Sequence, residues 1–223
     1  MQQAECDYRG SATSPPSMLM PQDLSAWRKA QREQLLARRM AVPAAEHRAW
    51  SAAITRRLLH SFATLRSKVV GGYWPYKGEF DARHAMRVWR DAGARLALPL
   101  VLEKRAPLQF RHWWPGAPMT RGVFDLPVPD GTELLLPQAL LIPPVGFDAR
   151  GFRLGYGGGY FDRTLAVLQP QPLKIGVAFE IARIATIHAQ PHDIAMDYIV
   201  TEAGVHRVGA GGLQRLDDDW QAE

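Results

Sequence analysis

Residues 153–163 read Arg153-Leu154-Gly155-Tyr156-Gly157-Gly158-Gly159-Tyr160-Phe161-Asp162-Arg163. An apolar stretch at 139–142 and a loop at 143–148 precede them, and a helical pattern over 160–168 follows. Strand, turn and helix in that order are the building unit of a parallel α/β sheet. Four glycines in five positions strip the turn of Cβ atoms, so its backbone can approach a ligand closely and adopt positive φ. Backbone N–H groups that converge at a helix N-terminus attract anions, and Arg153 and Arg163 add bidentate donors on either side. Phosphate suits such a turn. No lysine follows the glycines, which excludes a P-loop, and Tyr160 stands where a dinucleotide fingerprint requires glycine. Asp162, in the first helical turn, is tolerable beside a phosphate only with a cation between them, for which Mg²⁺ is suited. A purely structural strand-to-helix turn is the alternative, and the residues alone leave both open.

Around this turn the pattern alternates. Helical spacing runs over Leu24, Trp27, Gln31, Leu35 and Met40, with Asp23 or Ser25 as cap, and again over Trp50, Ile54, Leu58 and Phe62 after Pro43. Strands are expected at 68–74, 95–100, 108–113, 134–142, 174–179 and 198–201, and a helix at 81–92 that Gly93 ends. The fold expected is α/β: a three-layer α/β/α sandwich with a mostly parallel central sheet. Residues 1–22, with Pro15, Pro16 and Pro21, read as a disordered leader; 23–208 as one domain; 209–223 as a flexible acidic tail.

The composition bounds the function. Of the 223 residues 47% are hydrophobic and 22% charged, the balance of a globular chain rather than a disordered or membrane protein. Cys6 is the sole cysteine, which rules out an internal disulfide or a cysteine-based zinc site and fits a cytoplasmic, reducing compartment. The net charge is +5, yet residues 28–57 carry eight basic against two acidic side chains. The basic character therefore belongs to one amphipathic segment, where a bound anion and a nucleic acid contend. His188 and His192 are separated by Pro191, which argues against a helical metal pair.

The stretch from Arg153 to Arg163 closely resembles the signature of the 5-formyltetrahydrofolate cyclo-ligase (5,10-methenyltetrahydrofolate synthetase) family, with Phe161 in place of a tyrosine. Arg28-Lys29-Ala30-Gln31-Arg32 resembles the family's Lys-x-x-x-Arg, and Tyr73-Trp74-Pro75 with Glu79 its first strand and substrate-contacting glutamate. Residues 122–127 resemble a diverged Gly-Ile-x-Glu-Pro element, and His192-Asp193 with Asp197 its C-terminal His-Asp…Asp. A glutamine usual after the strand ending at Phe179 is absent, with Glu180 and Ala182 in its place.

The resemblance implies a ligase of one-carbon metabolism. It forms a C–N bond by converting 5-formyltetrahydrofolate and ATP, with Mg²⁺, to 5,10-methenyltetrahydrofolate, ADP and phosphate. It implies ATP binding by Arg28, Arg32, Arg153, Leu154, Gly155, Tyr156, Gly157, Gly158, Gly159, Tyr160 and Phe161, with Arg153 and Tyr160 at the chemistry. Trp74, Glu79, Tyr156 and Tyr160 would contact the folate, and Asp162 and Asp193 would hold Mg²⁺. A monomer acting on small molecules is expected, with no nucleic-acid or membrane partner. Two other classes are weighed against it: a phosphate-ligand enzyme on a related scaffold, such as a sugar-phosphate isomerase or a CoA transferase, and a non-catalytic basic nucleic-acid binder.

Overall fold

The computed structural model describes residues 22–222; the expected leader lies outside the described residues except for Gln22. Helix α1 (Leu24–Met40) starts where the Asp23 carboxylate accepts the Ala26 amide at 2.9 Å, the N-cap its position suggested. In chain order there follow α2 (Ala44–Ser61), β1 (Val69–Gly71), α3 (Arg83–Asp91), β2 (Arg95–Leu100), β3 (Gln109–Trp113), β4 (Met119–Arg121), β5 (Pro127–Pro129) and β6 (Ala139–Ile142). The chain continues through β7 (Gly146–Phe147), β8 (Arg153–Leu154), α4 (Tyr160–Val167), β9 (Leu173–Val177), β10 (Tyr198–Thr201), β11 (Gly204–Gly209) and β12 (Gly212–Arg215).

One eight-stranded sheet runs β12-β11-β10-β9-β6-β1-β2-β3. Its five middle strands, β10 to β2, are parallel, while β3 at one edge and β11 and β12 at the other are antiparallel. The fold is thus α/β with a mostly parallel sheet, as expected. Alternation along the strands separates two apolar layers. Val70, Leu96, Leu98, Leu141, Ile175 and Val200 pack with Ile54, Leu58 and Phe62 of α2 and Met86 and Trp89 of α3. Ala97, Leu140, Ile142 and Ile199 face the other way, onto Phe110, Phe147 and Leu165 of α4. A smaller cluster seats α1 through Leu35, on Val145, Leu154 and Ile187.

Two expectations are corrected. The strand expected at 134–142 is short: only Ala139–Ile142 is strand, and Leu134 makes a single bridge to Arg111. Pro137 has no N–H to give a ladder. The stretch expected as a flexible tail is built into the domain. Its residues 212–215 complete the β11–β12 hairpin, and Trp220 packs against Phe62 and Tyr198 with ring centroids 5.8 and 5.2 Å apart. Its acidic residues flank one aromatic whose burial outweighs them.

β1 leads outward to β2, whereas β6, on the other flank of β1, leads on to β9 and β10. The strand order therefore reverses between β1 and β6, and ligands of open α/β sheets bind beyond the strand ends at such a point.

Candidate active site

A cavity of about 800 Å³ opens there, walled by Tyr73 and Trp74 after β1, Pro99 and Val101 at the end of β2, and Pro143 after β6. The structure brings the candidate residues together around it: Arg28 and Arg32 from α1, Trp74 and Glu79 from the loop after β1, the whole turn from Arg153 to Asp162, and Asp193. Residues from opposite ends of the chain meet because α1 lies over the loops that follow β6 and β8.

The glycine turn owes its path to two positions. Gly157 has φ of 96° and Gly159, which precedes α4, has φ of 62°. Gly158 is glycine for another reason: a Cβ there would come within 2.7 Å of the Tyr160 ring. A β-branched residue at positive φ costs on the order of 1–3 kcal/mol and distorts the turn. Gly157→Val is therefore expected to abolish turnover while lowering the melting temperature only modestly. Normal turnover by the folded variant would reduce the turn to a structural connection.

Charged groups are held in pairs. Arg153, buried, donates from Nη1 to the Ile194 carbonyl at 2.8 Å and places Nη2 2.9 Å from Asp162 Oδ1, off the hydrogen-bond line. Burial pulls the Arg153 pKa down, and Asp162 opposes that. The same Asp162 oxygen accepts the Ile194 amide at 3.1 Å. Arg28 donates to Asp193 Oδ2 at 2.6 Å and to the carbonyls of Ile187 and His188, and that oxygen also accepts the Gln190 amide at 2.7 Å. Burial works against charge on Asp193, but these donors prevail and its pKa is lowered. Arg32 donates to the Gly155 carbonyl at 2.7 Å; burial, then the charge of Arg28, lowers its pKa.

Asp162 and Asp193 are the carboxylates at this turn that could hold a cation shared with a bound phosphate. Asp162 and Asp193 each have one oxygen engaged by arginine, and among the described residues no three His, Cys, Asp or Glu side chains cluster. One or two carboxylates plus phosphate oxygens is how Mg²⁺ is usually held.

Glu79, also in the cavity wall, is buried. Its Oε2 accepts the Tyr76 amide at 2.9 Å and its Oε1 the Tyr156 hydroxyl at 2.7 Å. The Tyr156 oxygen in turn accepts Arg39 Nη2 at 2.6 Å. Burial pushes the Glu79 carboxyl up to about 7 against the opposing effects of Tyr156, Arg39 and the Tyr76 amide. Tyr156, hydrogen-bonded to both, thus joins the glycine turn to the loop after β1.

Comparison with known proteins settles the family. Residues 24–202 match the model of the 5-formyltetrahydrofolate cyclo-ligase family. The chain belongs to that family. A cyclo-ligase of Mycolicibacterium smegmatis is 29% identical over 178 residues, 76% of this chain and 91% of the relative. That of Escherichia coli K12 is 28% identical over 176 residues, 75% of this chain and 96% of the relative. The NMR structure of Aquifex aeolicus 5,10-methenyltetrahydrofolate synthetase superposes with a TM-score of 0.70 at 28% identity, covering 85% of this chain and 96% of that one. The synthetase of Mycoplasma pneumoniae gives 0.64 at 26% identity over 78% and 98%.

Within the cyclo-ligase fold the two departures separate. Val123, Phe124, Leu126 and Pro127 line the cavity from the β4–β5 hairpin, with the Phe124 ring 6.0 Å from that of Tyr160. Glu180 instead accepts the Thr201 hydroxyl and pairs with Arg183, and neither it nor Ala182 lines the cavity. The contact of this site that the sequence reading missed is that of Arg39 with Tyr156 and Glu79. Its signal was present: Arg28, Arg32, Leu35 and Arg39 recur at helical spacing, on the face that α1 buries.

Proposed function

We propose that the protein closes 5-formyltetrahydrofolate to 5,10-methenyltetrahydrofolate in this cavity, with ATP and Mg²⁺ as co-substrate and cofactor. The γ-phosphoryl group passes to the formyl oxygen, which turns a poor leaving group into phosphate. N10 attacks the formyl carbon, the C–O bond breaks, and N10 gives up its proton as the ring closes. Phosphate and ADP are released.

Phosphoryl transfer asks a protein mainly for positioning and charge neutralisation. In this reading the N–H groups of Gly157 to Tyr160 hold the phosphates at the start of α4. Arg153 and Tyr160 flank the reacting groups, and Arg28 and Arg32 reach the phosphates from α1. Asp162 and Asp193 would hold Mg²⁺, which when bound neutralises phosphate charge. Trp74 walls the folate end, and Glu79 accepts the paired N–H donors of the pterin edge. What carries the reading is one hydrogen bond: Tyr156 to Glu79, 2.7 Å, joins a phosphate-type turn to a buried carboxylate in the wall of a single cavity.

The product absorbs in the near ultraviolet where 5-formyltetrahydrofolate does not. ATP-dependent growth of that band is the test, and its absence with folded protein sinks the proposal. We take the protein to act as a cytoplasmic monomer on small molecules. No described helix is long and apolar enough to cross a membrane, and Arg28 and Arg32 line the cavity. Replacing both arginines with alanine is expected to raise KM for ATP by roughly tenfold or more, and KM for folate much less. Salt-sensitive nucleic-acid binding that disappears in the same double variant would contradict this.

A further inference from the structure

We propose that Arg39 is a positioning residue of the folate end of this site, holding Glu79 and Tyr156 in the arrangement that receives the substrate's N–H donors. The proposal rests on the cyclo-ligase reading above. Arg39 is buried, yet it does not line the cavity; it stands behind the two residues that do. Its guanidinium ties three separate segments to α1. Nε donates to the Lys77 carbonyl at 2.9 Å, Nη1 to the Pro144 carbonyl at 3.5 Å, and Nη2 to the Tyr156 hydroxyl at 2.6 Å. Glu79 itself is 3.8 Å from Nη2, with the hydroxyl hydrogen-bonded to both.

Proton direction follows from the donor inventory. A guanidinium only donates, so the Tyr156 oxygen must accept from Arg39 and turn its single proton toward Glu79 Oε1. The Tyr76 amide likewise only donates, to Oε2. Both carboxylate oxygens are thereby committed as acceptors, and their remaining lone pairs suit a ligand presenting paired N–H groups. The guanidinium's charge also opposes the burial that favours the neutral acid.

The other ionisable groups nearby are accounted for. Tyr73 donates to the Phe80 carbonyl at 2.8 Å, and Asp81 is paired with Arg83 at 2.7 Å. Lys77 Nζ lies 5.2 Å from the Tyr76 ring centroid, and His47 Nε2 is 3.2 Å from the Gly78 carbonyl. None of these takes the hydroxyl or the carboxylate that Arg39 organises.

The test follows folate Kd and KM, and KM for ATP, across pH in the wild type, Arg39→Met, Arg39→Lys and Tyr156→Phe. Wild-type folate affinity is expected to weaken as pH falls through a transition near neutrality. Arg39→Met should move that transition up by about one pH unit. It should raise folate KM at neutral pH roughly tenfold or more, with a smaller change for ATP. Arg39→Lys keeps the charge and should return the transition toward the wild type while recovering affinity only in part. A lower melting temperature in Arg39→Met with an unmoved transition would make the residue merely structural and overturn the proposal. If Arg39→Met does not fold, Tyr156→Phe removes the bridging hydroxyl from a partly exposed residue and must shift the same transition upward; no shift overturns it. A wild type that turns over with pH-independent folate affinity overturns the proposal alone. One that neither binds folate nor forms product overturns the cyclo-ligase reading with it.

Discussion

Asparagine in place of Asp162 is expected to lower both turnover and stability, by separate routes. The carboxylate is the counter-charge of a buried guanidinium, 2.9 Å from Arg153 Nη2. Removing one partner of such a pair costs about 3 kcal/mol, because the other charge remains buried without compensation. For a chain of this length that lowers the melting temperature by about 10 °C. The amide oxygen still accepts the Ile194 amide, so the start of α4 should survive. On the proposed function kcat falls by orders of magnitude and the Mg²⁺ requirement moves to higher concentration, because a charged ligand is gone. Two measurements separate the routes. Adding Arg153→Met should recover much of the melting temperature but none of the activity. A Mg²⁺ titration of the single variant reports on the metal alone. Wild-type turnover at saturating Mg²⁺, with reduced stability, would leave the ion pair as the residue's only role.

Glu79→Gln should produce a pH-dependent gain in stability and a large loss of folate affinity. In the unfolded chain this carboxyl titrates in the usual glutamate range; in the fold it keeps its proton up to about 7. Between those two values the folded protein binds more protons than the unfolded one, so stability declines as pH rises through that window. A buried glutamine pays no such penalty. The variant should melt close to the wild type near pH 5 and above it near pH 8, by a difference on the order of 2–3 kcal/mol. The amide offers one acceptor where the carboxylate offers two. Folate KM is expected to rise by about a hundredfold and to lose its pH dependence, with KM for ATP little affected. Parallel melting curves across pH would show that the native carboxyl is not held neutral by burial.

Much of this was legible in local sequence. The glycines of 155–159 imply a turn without Cβ atoms wherever they occur, and Asp23 before an amphipathic run implies an N-cap. The strand at 95–100 and the helix from Tyr160 follow from spacing and turn residues within a few positions. Other features were not legible. The strand expected at 134–142 is shorter because pairing depends on which neighbour has hydrogen-bonding groups to offer. The C-terminal residues read as a solvated tail because their charges are local, whereas the contact of Trp220 with Phe62 and Tyr198 spans the chain.

By itself the sequence determined the glycine turn, its flanking charges, the basic face of α1 and the order of the helices and of the six main-sheet strands it marked, but not β4, β5, β7, β8, β11 or β12. All of these depend on backbone conformation and on spacing between near neighbours. The tertiary structure alone decided which charges face each other. Asp162 meets Arg153, and Asp193 meets Arg28. Glu79, in the loop after β1, is buried against Tyr156 with Arg39 behind it. These pairings join residues up to 165 positions apart. Their burial makes each charge depend on its partner, and no local pattern encodes a partner at that distance.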